Sequence, residues 1–167
     1  MRSTVFSIWI LIVLAIPNSA QTEKLIAAIR ADVNLINKSA AKYDKKTRSV
    51  EGLSLEGAEA TYFTSGRGLK KISVKIYGET YRATAELYYS GEALIFAYQR
   101  LQRYDTHIAM KPPPKVVKIL ETRVYYNGAK AIRVIQGKKL TPKTEAAFDE
   151  AVLEMTELSD TLKAALN

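Results

Sequence analysis

The chain has 167 residues, a formal net charge of +8 at pH 7 and no cysteine. That length allows one domain with a substantial core, and the lack of cysteine excludes a disulfide scaffold and a cysteine nucleophile. The charge is uneven, because residues 58–139 carry fifteen Lys and Arg against six Asp and Glu, whereas residues 140–167 carry two against six.

The first twenty residues have the pattern of a secretory signal peptide. Arg2 precedes an apolar run from Val5 to Ile16, and Pro17-Asn18-Ser19-Ala20 follows. The run is about twelve residues long, shorter than the roughly twenty of a membrane-spanning helix. We therefore predict a signal peptide over residues 1–20 and an exported protein, periplasmic or extracellular, over residues 21–167. The exported part is predicted to be one domain without a membrane anchor, and its charge is +7 once Arg2 is removed from the total of +8.

Two amphipathic helices are predicted, one near each end of the exported part. From Glu23 to Lys38 the apolar residues recur at helical spacing, and a polar connection with the basic residues Lys45, Lys46 and Arg48 follows. Near the other end, Thr141 has the character of an N-cap and Pro142 that of a first helical residue. The apolar residues after them also repeat every three or four positions: Phe148, Val152, Met155, Leu158, Leu162 and Leu166.

Between the helices the period changes from 3.6 to 2, and an aromatic motif before glycine recurs. Its copies are Tyr62-Phe63-Thr64-Ser65-Gly66, Tyr88-Tyr89-Ser90-Gly91 and Tyr125-Tyr126-Asn127-Gly128, and Gly78-Glu79 marks a further turn. These are hairpin signals. They predict an antiparallel meander of about six strands in an α+β domain, with both helices packed across the apolar face of the sheet.

The turns also predict which side chains share a face. With two-residue loops at Gly78-Glu79 and Ser90-Gly91, one face collects Ile72, Val74, Ile76, Tyr81, Ala83, Ala85, Leu87, Leu94, Phe96 and Tyr98. For the last hairpin, a two-residue Asn127-Gly128 loop separates Val124 from Ile132. A three-residue loop with a bulge groups Leu120, Val124, Ile132 and Val134 instead, and we prefer it.

The segments that carry these turns resemble small exported bacterial proteins of unknown function. They are the run from Gly66 to Ile72, Tyr77-Gly78-Glu79-Thr80, and the run from Glu86 to Tyr98. The Tyr-Tyr-x-Gly hairpins are also similar to MORN-variant hairpin repeats. The resemblance implies a bacterial origin and an envelope or extracellular location, and it implies no activity.

The same register predicts a basic, tyrosine-bearing open face. It places Lys75 opposite Arg82, Arg82 opposite Gln99, Lys71 opposite Glu86 and Tyr77 opposite Thr80. Like charges facing each other across a ladder are unfavourable, so the arrangement asks for a counter-charge. We predict a binding site for an anionic group at Lys71, Lys75, Tyr77, Arg82, Tyr88 and Gln99, with Arg100, Arg103 and Arg123 adding charge. Two alternatives stay open: the long side chains splay apart in water, or the acidic C-terminal helix neutralises the basic segment within the fold.

No catalytic, metal or cofactor motif is visible. The chain has no Gly-x-Ser-x-Gly elbow and no phosphate-cradling loop, and Asp105 with His107 gives only two metal ligands. The predicted function is therefore a non-catalytic exported protein that binds an anionic lipid, a glycan or an acidic protein. Nucleic acid is not specially indicated, and the alternative is a small carboxylate-dependent hydrolase.

Overall fold

The computed structural model describes residues 19–66 and 68–166. In chain order its elements are helix α1 (Ser19–Ser39), a 3-10 turn (Ala40–Lys42), strands β1 (Asp44–Val50), β2 (Ala58–Ser65), β3 (Gly68–Tyr77), β4 (Tyr81–Ser90), β5 (Ala93–Tyr104), β6 (Val116–Asn127), β7 (Lys130–Gln136) and β8 (Lys139–Thr141), and helix α2 (Ala146–Ala164). The strands form one antiparallel sheet in the order β1 to β8. The α+β class and the meander are confirmed. Residues 1–18 of the predicted signal peptide lie outside the described part, and Ser19 and Ala20 begin α1.

The sheet has eight strands rather than the predicted number of about six, because its two outermost strands carry weak sequence signals. β1 replaces the predicted polar connection, and it is a strand because all seven of its residues pair with β2. β8 has only three residues, the last of which, Thr141, was predicted as a helix N-cap. α2 begins later, at Ala146, with Glu145 in the N-cap position.

The helices pack on opposite faces of the sheet, so the prediction that both cover one face is wrong. The main core joins α2 to one face, which we call the α2 face, and its fully buried members include Ile72, Leu87, Val124, Met155 and Leu162. A smaller core on the other side, the α1 face, contains Ile26, Ile29 and Tyr125, with Phe96, Ile132 and Ile135 packed against it. The neighbouring residues Val124 and Tyr125 of β6 thus enter different cores, as pleating requires.

Each aromatic motif lies at the turn of a hairpin, and the three hairpins share one register. Two pairs follow each turn, beginning with Ser65↔Gly68, Ser90↔Ala93 and Asn127↔Lys130, and the returning strand then holds an extra residue. The extra residues are Lys70, Ile95 and Ile132. A bulge of this kind shifts every later side chain to the other face. For this reason Phe96 and Tyr98 lie on the α1 face. Ile132 packs against the smaller core and not with Val124 and Val134, so both predicted groupings are wrong at these residues.

The hairpin between β3 and β4 is also longer than predicted. Its first pair is Tyr77↔Arg82, and the amide of Gly78 donates to the carbonyl of Tyr81 at 3.0 Å. The pairing therefore shifts by two residues, which preserves the face of each side chain and changes its opposite neighbour. The prediction that Ile72, Val74 and Ile76 share the core with Ala83, Ala85 and Leu87 is confirmed.

Candidate functional site

One row of side chains crosses the α1 face beneath the helix. Successive cross-strand pairs from β2 to β7 join Phe63, Lys71, Tyr88, Phe96, Tyr125 and Arg133. We call these six residues the covered row, because α1 lies along them. Arg30 Nε donates to the hydroxyl of Tyr125 at 3.4 Å, and Arg133 forms an ion pair with Glu23.

Two of the predicted binding residues, Lys71 and Tyr88, belong to the covered row and anchor the end of α1. Lys71 Nζ lies 2.6 Å from Glu86 Oε1 and 3.0 Å from Asn37 Oδ1. The hydroxyl of Tyr88 donates to Glu86 Oε2 at 2.6 Å and contacts Asn37 Oδ1 at 3.1 Å. Burial, and then the hydrogen bond to Glu86, raises the pKa of Tyr88 well above its ordinary value. These polar groups are satisfied by the fold and are not available to a ligand in this arrangement.

Replacing Glu86 by alanine tests this network. Lys71 is a buried residue, so removing the Glu86 carboxylate leaves a poorly compensated cation, and Lys71 and the Tyr88 phenol then share Asn37 Oδ1 as their remaining partner. We expect the free energy of unfolding to fall by about 2 kcal/mol, below the cost of breaking a fully buried pair because Glu86 is partly exposed. Chemical denaturation measures the loss. The matched variant Glu150→Ala, on the exposed side of α2, should change stability by less than about 0.5 kcal/mol. Equal effects of the two substitutions would contradict the anchoring role.

Beyond the covered row, the α1 face carries a cluster of three cations around a threonine. Thr84 pairs with Lys75 on one side and with Arg100 on the other, and Arg82 lies two residues before it on the same face of β4. We call Lys75, Arg82 and Arg100 the cation cluster. Since neighbouring strands are about 4.8 Å apart, the backbones of Lys75 and Arg100 are separated by roughly 10 Å. Lys75 and Thr84 are exposed and the two arginines are partly exposed.

Hydrogen-bonding and aromatic groups flank the cation cluster. The guanidinium of Arg82 lies 4.8 Å from the centre of the Tyr77 ring, and Arg82 pairs across the ladder with both Tyr77 and Gln102. A planar cation held against an aromatic face keeps its N–H donors directed at its edge. The face can thus present guanidinium, ammonium, hydroxyl and amide donors together.

The cations of the cluster form no ion pair in the described part of the chain, although Glu59 lies opposite Lys75 and Glu121 opposite Arg100 across the ladders. The ion pairs there are Lys71–Glu86, Arg123–Glu121 and Arg133–Glu23, and none includes Lys75, Arg82 or Arg100. The acidic C-terminal helix cannot supply a carboxylate to this cluster, because α2 lies on the opposite face of the sheet. Of the two alternatives that the sequence left open, neutralisation by this helix is therefore ruled out at the cation cluster.

Gln99 does not belong to this face, and the predicted pairs are wrong. The bulge in the hairpin of β4 and β5 places Gln99 on the α2 face, where its amide donates to Glu154 Oε1 at 2.8 Å. Lys75 faces Thr84 instead of Arg82, and Lys71 faces Tyr88. Lys71 still reaches Glu86, which is its diagonal neighbour. The structure thus keeps Lys75, Tyr77 and Arg82 of the predicted site together and brings Thr84 and Gln102 beside them.

Of the residues predicted to add charge, only Arg100 joins the cluster. Arg103 lies on the α2 face, opposite Lys118. Arg123 is held by Glu121 Oε2 at 2.9 Å and by the carbonyl of Gly137 at 3.1 Å. The hydrogen bonds from Arg123 and Tyr98 lower the pKa of Glu121, and the charge of Arg100 acts in the same direction.

Elsewhere, a cavity of about 710 Å³ lies at the loop between β1 and β2. Its lining includes three exposed glutamates, Glu51, Glu56 and Glu59. Paired carboxylates are what the alternative hydrolase requires, so that alternative stays a prediction. Across residues 19–66 and 68–166, no group of three or more His, Asp or Glu is placed to hold a metal ion. None of the described helices is both long and apolar enough to cross a membrane.

The fold and the site together define an eight-stranded antiparallel meander with one helix on each face and an uncovered cation cluster. No family model, curated protein or solved structure matches the chain.

Proposed function

We propose that the protein is an exported, non-catalytic binding protein whose cation cluster holds an anionic group of an envelope component. The proposal rests on one observation: Lys75, Arg82 and Arg100 surround Thr84 on an uncovered part of the sheet and form no ion pair in the described residues. Glu59 and Glu121 lie opposite Lys75 and Arg100, whereas Arg82 has Tyr77 and Gln102 opposite it and no carboxylate. Guanidinium and ammonium donors at this spacing suit a phosphate, a sulfate or a sugar carboxylate.

The position of the acidic residues supports the proposal. α2 exposes Asp149, Glu150, Glu154, Glu157 and Asp160 on the far side of the sheet. An anionic surface that approaches the cation cluster therefore meets the basic side of the molecule, with the acidic side turned away. This polarity orients the protein on the surface as well as attracting it.

The test is binding of the exported part, residues 21–167, to vesicles with and without an anionic phospholipid and to anionic glycans. Each cation near an anionic surface contributes about 1 kcal/mol, so reversing the charge of Arg82 to glutamate should weaken binding about 30-fold. The matched variant Lys139→Glu makes the same charge change at an exposed residue of β8. It should change affinity by less than about threefold, because salt at 0.1 M screens charges beyond about 10 Å.

The two variants distinguish binding at the cation cluster from binding through the net positive charge of the protein. Binding that weakens with salt and is lost in Arg82→Glu alone supports a site at the cation cluster. Equal losses of affinity in both variants would mean that binding depends on net charge and not on the cation cluster. Binding that is indifferent to salt, or absent for every anionic probe, would contradict the proposal.

A further inference from the structure

The first half of β6 forms an internal edge of the sheet. β7 pairs with β6 only over Thr122 to Asn127, so the outer side of residues 116–121 has no strand beside it in the described part. The backbone contact on that side is the amide of Gly137, which donates to the carbonyl of Glu121 at 2.7 Å. Along residues 116–120, the backbone donors and acceptors that point away from β5 therefore have no strand partner in the described part of the chain.

This edge has less protection than the other two edges of the sheet, because Lys118 is its one charged residue. β1 carries charged and polar side chains at Asp44, Lys45, Lys46 and Arg48, and β8 has only three residues. Charge and shortness are the usual means by which proteins keep sheet edges from pairing. The β6 edge instead exposes four apolar side chains, Val116, Val117, Ile119 and Leu120, which are 39–62 % accessible. An exposed apolar edge of this kind is a template for another strand.

Two like charges lie beside the edge on the α2 face. Arg103 on β5 is directly opposite Lys118 on β6, and no ion pair in the described residues includes either of them. Glu154 lines the same groove as Arg103, but its hydrogen bond comes from Gln99. Like charges across a ladder are unfavourable, and an acidic side chain on an added strand would relieve them.

We propose that the β6 edge, residues 116–120, binds an extended segment of a partner protein by strand addition, and that this segment alternates apolar and acidic residues. Main-chain hydrogen bonds supply the pairing, the apolar side chains continue the exposed Val and Ile surface, and an acidic residue faces Lys118. A second copy of this chain fits less well, since antiparallel pairing about the middle of the edge would set Lys118 against Lys118. This edge is separate from the cation cluster, which lies on β3, β4 and β5 of the α1 face.

The probe is a synthetic peptide of alternating glutamate and valine, measured against the exported part of the chain, residues 21–167. Two comparison peptides are needed: one with lysine in place of glutamate, and one with alternate backbone amides methylated, which removes the donors along one edge. We expect saturable binding of the first peptide, about tenfold weaker binding of the lysine peptide, and none of the methylated one. Amide hydrogen exchange should show new protection confined to the 116–120 edge.

Charge reversal supplies the second test. The double variant Arg103→Glu/Lys118→Glu should prefer the lysine peptide, whereas Lys24→Glu/Lys38→Glu, with the same net charge change on α1, should keep the original preference. The variant Arg82→Glu should bind the peptide normally, which separates a failure here from a failure at the cation cluster. Equal binding of the methylated peptide, no binding up to about 1 mM, or concentration-dependent dimerisation through residues 116–120 would each overturn the proposal.

Discussion

Replacing Leu162 by alanine is expected to lower the free energy of unfolding by about 3 kcal/mol, which is a large part of the stability of a domain this size. Leu162 is fully buried near the end of α2. Its carbonyl also accepts a hydrogen bond from the hydroxyl of the buried Tyr62 on β2, at 2.8 Å. A cavity at this point would therefore loosen the helix where it crosses the first strands. Denaturant unfolding with an unchanged slope would report the loss as one of stability alone.

The control for this prediction lies in the same helix. Leu153 is 58 % exposed, so Leu153→Ala removes the same atoms without making a cavity. We expect a change of less than about 0.5 kcal/mol, since alanine is also the better helix former. A similar loss of stability in the two variants would mean that α2 does not pack on the sheet as described. The placement of the acidic helix on the face opposite the cation cluster would then be wrong as well.

The sequence correctly predicted which side chains of β3 and β4 lie on each face, because the predicted register was wrong by an even number of residues. A shift of two residues changes Lys75's neighbour from Arg82 to Thr84 and leaves Ile72, Val74 and Ile76 in the core. The error at β5 was odd, because the bulge residue Ile95 follows the turn. That single residue moved Gln99 out of the site and Phe96 into the smaller core. Alternation counted from a turn detects no bulge, so this correction needed the structure.

The placement of the helices had a signal that the prediction did not use. Leu94-Ile95-Phe96-Ala97-Tyr98 is apolar without alternation, and a strand of this kind is ordinarily covered on both faces. This pattern predicts one helix on each face of the sheet. The acidic helix α2 would then lie on the face opposite the cation cluster. The grouping of Lys75, Arg82 and Arg100 around Thr84 depends on the length of the loop after Tyr77 and on the bulge at Ile95, and alternation along the strands shows neither.

Raising the pH above about 10 is expected to unfold the protein together with the ionisation of its buried tyrosines. Burial raises the pKa of Tyr89 well above its ordinary value, against a smaller opposing effect of its hydrogen bond with Ser159, and burial likewise raises the pKa of Tyr88, Tyr62 and Tyr126. In the unfolded chain these phenols lose their protons near pH 10. Between that pH and the raised pKa the folded state binds more protons, so stability is fully present below about pH 10 and falls as the pH rises further.

Tyr89 alone should contribute a slope of about 1.4 kcal/mol per pH unit in that range. Tyr89→Phe should therefore lose about 1 kcal/mol at neutral pH with its hydrogen bond to Ser159, and then show a shallower decline above pH 10. The matched variant Tyr43→Phe, at a partly exposed residue outside both cores, should decline as the parent does. Tyrosinate absorbance and circular dichroism followed through the same titration distinguish the outcomes. A fold that survives while all ten tyrosines ionise near pH 10 would show that the aromatic residues of the three hairpins are not buried as described.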